Sequence, residues 1–238
     1  MSHERTVGWG LLVLGWLLLC WGAPRDVRAA GAADETLPTE FGVRWEEPKS
    51  TAETVAAWLG ATLKPDDGYR VEFWQTEHDA AGNTSFFRLR TVPSAPASIQ
   101  LIRKVRTADA CTYACTSDEG AQSREVDETL VVDAAGSGFV GHRLCSTSCV
   151  RQLATRPEHV TTSPPCAGGP AEVQRWKVQR DGKKLRLERW ARGEHVLWEL
   201  SARSDDVPSA DFRAIAAPLL AHVQPLARSK RDWMCEPG

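Results

Sequence analysis

Basic side chains recur two residues apart along this chain: Arg88 with Arg90, Lys104 with Arg106, and Arg175 with Lys177. A spacing of two places side chains on one face of a β-strand. The same spacing joins Glu125 to Asp127 and Arg186 to Glu188, and Glu199 stands in the same way beside Ser201. The residue inside each pair is apolar: Leu89, Val105, Trp176, Val126, Leu187 and Leu200. A solvated outer face of an antiparallel sheet explains any one such strand. Charged faces on six strands are less ordinary: if the sheet closes into a barrel, they could line a polar bore. The guanidinium fork matches phosphate oxygens, so Arg88 and Arg90 point to a phosphate-bearing polyanion. The carboxylates could hold a hard cation, Mg²⁺ or Mn²⁺.

Other chemistries lack their residues. The chain contains neither a Walker loop nor Gly-x-Ser-x-Gly. His78, His142, His159, His195 and His222 are scattered, and no two stand four apart. The haem signature Cys-x-x-Cys-His is absent.

The elements that must position the charged faces are mostly strands. Alternation and turn residues predict strands over 41–47, 69–77, 85–92, 99–106, 124–132, 138–144, 172–180, 183–190 and 195–202. Asp66-Asp67-Gly68 reads as a turn, and Asp181-Gly182 as a two-residue hairpin turn. Ser50-Thr51-Ala52-Glu53 is a capping box, followed by Val55, Trp58, Leu59 and Leu63 on one helical face. A second helix is predicted over 209–223, kinked at Pro218. Stretches 107–123 and 145–170 read as cysteine-bearing loops. Trp176 and Trp198 read as core. Trp190 falls on a polar-face parity and could stack on a ligand or pack at a strand end. The expected fold class is α+β and mainly antiparallel β. It is a closed or nearly closed barrel of about eight strands, tunnel-like, with one helix after the first strand and one C-terminal helix.

Composition and targeting bound the function. The chain has 238 residues, 42% hydrophobic and 25% charged, with a net charge of −2. That balance offers no field for nucleic acid. Between Arg5 and Arg25 lie 19 uncharged residues, followed by Ala29, Ala30, Gly31 and Ala32. This is the layout of a secretory signal peptide over 1–32, leaving one domain over 33–238. An uncleaved anchor is the rival reading. Once the signal is cleaved, no membrane association is expected, and the protein is exported to the periplasm or outside the cell. Six cysteines follow: Cys111, Cys115, Cys145, Cys149, Cys166 and Cys235. An even number in an exported chain reads as disulfides, with the pairing left open. A thiolate metal site is the weaker alternative, since zinc sites favour Cys-x2-Cys turns.

From about Thr39 to Trp233, the order of elements resembles the CYTH, or triphosphate tunnel metalloenzyme, superfamily. Glu40-Phe41-Gly42-Val43-Arg44 stands where that family has Glu-x-Glu-x-Lys. Phe87-Arg88-Leu89-Arg90 is similar to its Leu-Arg-Leu-Arg strand, and Lys104 ends the next strand as the family's lysine does. Glu125-Val126-Asp127, Val178 to Glu188, Glu199-Leu200-Ser201 and Ser229-Lys230 follow in the family's order. The resemblance implies a closed antiparallel barrel whose charged tunnel binds triphosphate compounds and uses a divalent metal. Taken with the strand faces, it assigns Arg44, Arg88, Arg90, Lys104, Arg175, Lys177 and Lys230 to the anion, and Glu40, Glu188 and Glu199 to Mg²⁺ or Mn²⁺. Gly42 and Ser201 replace two of the family's carboxylates. Fewer carboxylates weaken activation of an attacking water. The expectation is an exported barrel that binds a polyphosphate or triphosphate-type anion, with hydrolysis weak or absent. If it is an enzyme, it is a divalent-metal-dependent phosphohydrolase. The alternative is a disulfide-stapled cell-envelope protein, structural or partner-binding, with no small-molecule ligand.

Overall fold

The computed structural model describes residues 37–78, 83–107, 111–132, 139–158, 160 and 164–237. The signal segment expected over 1–32 lies outside the described residues. The described chain runs β1 (Thr39–Glu46), α1 (Ala52–Leu59), β2 (Thr62–Phe73), β3 (Glu77–His78), β4 (Thr84–Val92), β5 (Ala95–Thr107) and β6 (Ala121–Val132). It continues with β7 (Phe139–Leu153), β8 (Ala171–Arg180), β9 (Lys183–Arg192), β10 (His195–Arg203), α2 (Ser209–Leu220) and α3 (Lys230–Cys235). No helix among the described residues is long and apolar enough to cross a membrane.

Strand order around the sheet is β2-β8-β9-β10-β1-β6-β7-β5-β4, and pairing of β2 with β4 closes the ring; β3 adds a short pairing to β4. The closed α+β barrel of about eight strands expected from the alternation is therefore present, with nine strands in the ring. One pairing departs from the antiparallel expectation: β1 lies parallel to β6, with Glu40 opposite Asp127. Parallel neighbours need a long crossover, and here all the chain from α1 to β5 supplies it.

Several element boundaries moved for local reasons. Thr51, not Ser50, caps α1, and its side chain accepts from the Thr54 amide; the helix stops at Gly60. Leu63 therefore belongs to β2. Asp66-Asp67-Gly68 is a bulge inside β2 and not a turn, with the register against β8 shifting between Asp66 and Tyr69. A Cβ on Gly68 would lie 2.6 Å from the Val173 carbonyl oxygen, so only glycine permits this approach. The Asp181-Gly182 hairpin turn forms as expected, with φ of 49° and 73°. Cys145 and Cys149 lie on β7, which runs on to Leu153 before the loop begins.

Alternation divides most apolar residues between two cores, with a smaller third cluster of Trp74, Leu89 and Ile99. Phe41, Val43, Trp45, Trp198 and Leu200 face outward from β1 and β10 and are covered by α1 and α2 through Val55, Leu59, Phe212 and Leu219. Trp198 stacks between Trp45 and Trp176, with centroids 6.1 and 5.9 Å away. Each such fully buried side chain contributes about 1.5–3 kcal/mol of transfer free energy. The second core joins Tyr69, Val71, Phe73, Phe86, Trp190 and Leu197 to Trp233 and Met234 of α3. It plugs part of the barrel and leaves the rest polar.

The cysteines pair as Cys111–Cys145, Cys115–Cys149 and Cys166–Cys235, with Cα separations of 5.3, 5.7 and 4.3 Å, within disulfide range or at its edge. The first two answer a topological need. β7 lies between β5 and β6, so the β5–β6 connection must cross it. Cys145 and Cys149, four apart on β7, present one face to that crossover. The third pair ties the β7–β8 connection to α3.

Candidate functional site

The polar part of the barrel encloses a cavity of about 370 Å³. Its walls come from alternate residues: Glu40, Gly42 and Arg44 on β1; Arg88 and Arg90 on β4; Lys104 and Arg106 on β5; Glu125 and Asp127 on β6. Arg186, Glu188, Glu199, Ser201 and Arg203 complete the ring from β9 and β10, and Lys230 and Arg231 enter from α3. Tyr69, Phe73 and Phe86, which belong to the inner core, also line it. A second cavity of about 230 Å³ shares Glu40, Arg186, Ser201 and Arg203 with the first. Arg186 and Arg203 are exposed, which places the opening on that side.

Inside, most carboxylates are matched to cations. Glu199 accepts from Arg44 Nε and from Lys230 Nζ, both at 2.5 Å. Lys230 also reaches Glu188 at 3.2 Å, and Trp190 Nε1 donates to Glu188 at 3.0 Å. Trp190 is fully buried, so its polar-face parity serves packing and this hydrogen bond. Lys104 Nζ bridges Glu125 at 3.1 Å and Asp127 at 2.8 Å, and Ser146 Oγ donates to Asp127 at 2.7 Å. Burial alone would raise these carboxyls. Instead, Lys104 holds Asp127 well below the usual range, and Lys230 does the same for Glu188 and Glu199. Despite its burial, Lys230 is held above the ordinary lysine range by Glu188 and Glu199. Glu40 is the exception: burial, then repulsion from Glu125 and Glu199, pushes its carboxyl up.

The arginines of β4 are not matched. The Nε atoms of Arg88 and Arg90 are buried with no hydrogen-bond partner. Among the described residues neither guanidinium has an ion-pair partner. Arg90 lies 4.0 Å over the Tyr69 ring. Burial, together with repulsion from Arg88 and Arg175, holds Arg90 below its ordinary value. An anion placed between them would relieve both effects.

Arg44, Arg88, Arg90, Lys104, Lys230, Glu40, Glu188 and Glu199 thus all line one cavity. Arg175 flanks it, with Nε 3.6 Å from Glu188 and Nη2 3.1 Å from Asp66. Lys177 lies in the second cavity, 3.3 Å from Asp66 and largely exposed. Arg203 keeps the parity of Glu199 and Ser201 and could have been found that way, whereas Tyr69 lies on a strand where no charged alternation marked the bore. Arg231 sits on α3, for which no periodic signal exists.

A divalent ion needs carboxylate oxygens that converge. Oxygens of Glu40, Glu125 and Asp127 lie within 4.8 Å of one another. Two of these three groups already hold the Lys104 ammonium, and the remaining pair, Glu188 and Glu199, shares Lys230. Gly42 has room for a side chain, its nearest neighbour being Glu199 Oε2 at 3.7 Å, but offers no donor. Among the described residues, only Glu40 of the three converging carboxylates is free of a cation, so a resident Mg²⁺ or Mn²⁺ would have to share the other donors with Lys104.

No family model matches the chain, and no curated protein matches it. Among solved structures it is similar to a conserved hypothetical protein from Pyrococcus furiosus: 14% identity, 81% of this chain and 98% of that one covered, TM-score 0.43. It is also similar to the PH1012 protein from Pyrococcus horikoshii: 12% identity, 76% and 89% covered, TM-score 0.38.

Proposed function

We propose that this protein is an exported anion-binding barrel that holds a polyphosphate or triphosphate-type anion in its tunnel, with weak or absent hydrolysis. The observation that carries the reading is the pair Arg88 and Arg90, which line the cavity half-buried, with their Nε atoms buried and unbonded and with no ion-pair partner among the described residues. Two uncompensated guanidinium groups cost stability unless a ligand completes them. Their planar forks suit successive phosphates. The resemblance of the motif order to the CYTH superfamily supports the same ligand class. Three cysteine pairs at disulfide separation suit the oxidising compartment that export implies.

Arg88 and Arg90 bind the anion from β4, while Arg106 faces the same space from the neighbouring β5. Hydrolysis would need a base to activate water. Asp127, Glu188 and Glu199 are held below their ordinary range by ammonium groups, which makes them poor proton acceptors. Thermal melting with tripolyphosphate tests the reading. A saturable rise is expected, worth about 2.7 kcal/mol at a hundredfold excess over Kd. It should be lost in Arg88→Gln and Arg90→Gln variants that melt normally without ligand. No shift at millimolar tripolyphosphate would remove the proposal. It would favour the second reading, a partner-binding envelope protein built on its stapled crossover.

A further inference from the structure

We infer that the tunnel takes its polyanion free of divalent metal, with Lys104 and Lys230 serving as built-in cations. The inference rests on the anion-binding reading and adds which form of the anion is bound. Enzymes and binding proteins that take triphosphates with Mg²⁺ leave carboxylates open to the ion. Here all of the cavity's carboxylates but Glu40 are closed by the chain itself. Lys104 Nζ touches Glu125 and Asp127, and its side chain is only 9% exposed. Lys230 Nζ touches Glu188 and Glu199 and lies 4.9 Å from the Trp190 ring centroid, so three groups hold it in place. Arg44 adds a second cation to Glu199.

A divalent ion arriving with the anion would meet two obstacles. To gain any carboxylate ligand beyond Glu40 it must displace an ammonium or guanidinium, leaving that cation without its partner. If it stays on the anion instead, it brings positive charge against Arg88, Arg90 and Arg106. The free anion meets neither obstacle. Glu40 is the one wall carboxylate among the six that no described cationic side chain contacts; Glu128, the sixth, pairs with Arg213 and Arg143. Gly42 and Ser201, its neighbours on the bore, contribute no charge to help it. The sign of the metal effect is therefore the reverse of a metal-dependent site: Mg²⁺ should compete with the protein for the anion.

The experiment melts the purified protein at a fixed subsaturating concentration of tripolyphosphate. One arm contains EDTA and the other rising Mg²⁺, with sodium chloride holding ionic strength equal. The expected result is a stabilising shift in EDTA that shrinks as Mg²⁺ rises. Apparent affinity should fall roughly tenfold when nine-tenths of the anion is complexed. A shift that needs Mg²⁺, grows with it, or is unchanged once the anion is complexed would overturn the inference while leaving the anion-binding reading standing. No shift in either arm would overturn that reading and this inference with it.

Discussion

Lys104 shows what a residue's type cannot reveal by itself. Its parity placed it correctly on the bore, but only the fold brings Glu125 and Asp127 to its ammonium. It is a counter-ion to the wall before it is a ligand for an anion. Lys104→Met should therefore cost about 3–5 kcal/mol, because two carboxylates lose their buried partner. Urea unfolding measures this, and a loss below about 1 kcal/mol would contradict the pairing. Glu40 should behave in the opposite way. Its folded pKa is raised, by burial first, from an ordinary value of 4.5. Such a group favours the folded state below its unfolded pKa, and that contribution is lost as pH rises through the folded value. Glu40→Gln should raise the melting temperature at pH 7, with the gain vanishing as pH falls below 4.5. A variant that is destabilised at pH 7 would show that Glu40 is paired.

At the scale of elements, the crossover between β5 and β6 has the clearest consequence. Cys111–Cys145 and Cys115–Cys149 each span 34 residues and join the same two segments. With one bridge in place, the other closes only a short additional loop, so their contributions are not additive. Removing both should cost about 4 kcal/mol on loop-entropy grounds, and removing either one much less. Serine variants compared by urea midpoint would check this, and two equal, additive losses would contradict it. Most strands were legible because apolar and charged residues alternate with period two. The bulge at Asp66-Asp67-Gly68 was not, since its residues are those of a turn. What prevents a turn is continued pairing with β8 on both sides. The short α3 escaped for a different reason: its six residues complete too few turns to show a period.

For the molecule as a whole, the matched interior predicts sensitivity to acid. Asp127, Glu188 and Glu199 titrate below their ordinary values of 3.8, 4.5 and 4.5 because Lys104 and Lys230 outweigh burial. Depressed carboxyls stabilise the fold above the unfolded pKa, and that contribution is lost as pH falls through the folded value. Urea midpoints should decline steadily from pH 5 toward pH 2. A flat profile would mean that the ion pairs contribute nothing to folding.

The amino-acid order by itself determined which side chains share a face. Strand geometry makes that a local property of period two, so the bore's basic and acidic residues could be named before any fold was known. The order also determined that six cysteines would staple the chain, though not how. Only the tertiary structure decided which charges neutralise one another. It brings β1 beside β6 and seats Lys230, from the far end of the chain, between Glu188 and Glu199. It also leaves Arg88 and Arg90 without an ion-pair partner among the described residues. Those pairings depend on barrel closure, and closure joins residues whose separation along the chain carries no local signal.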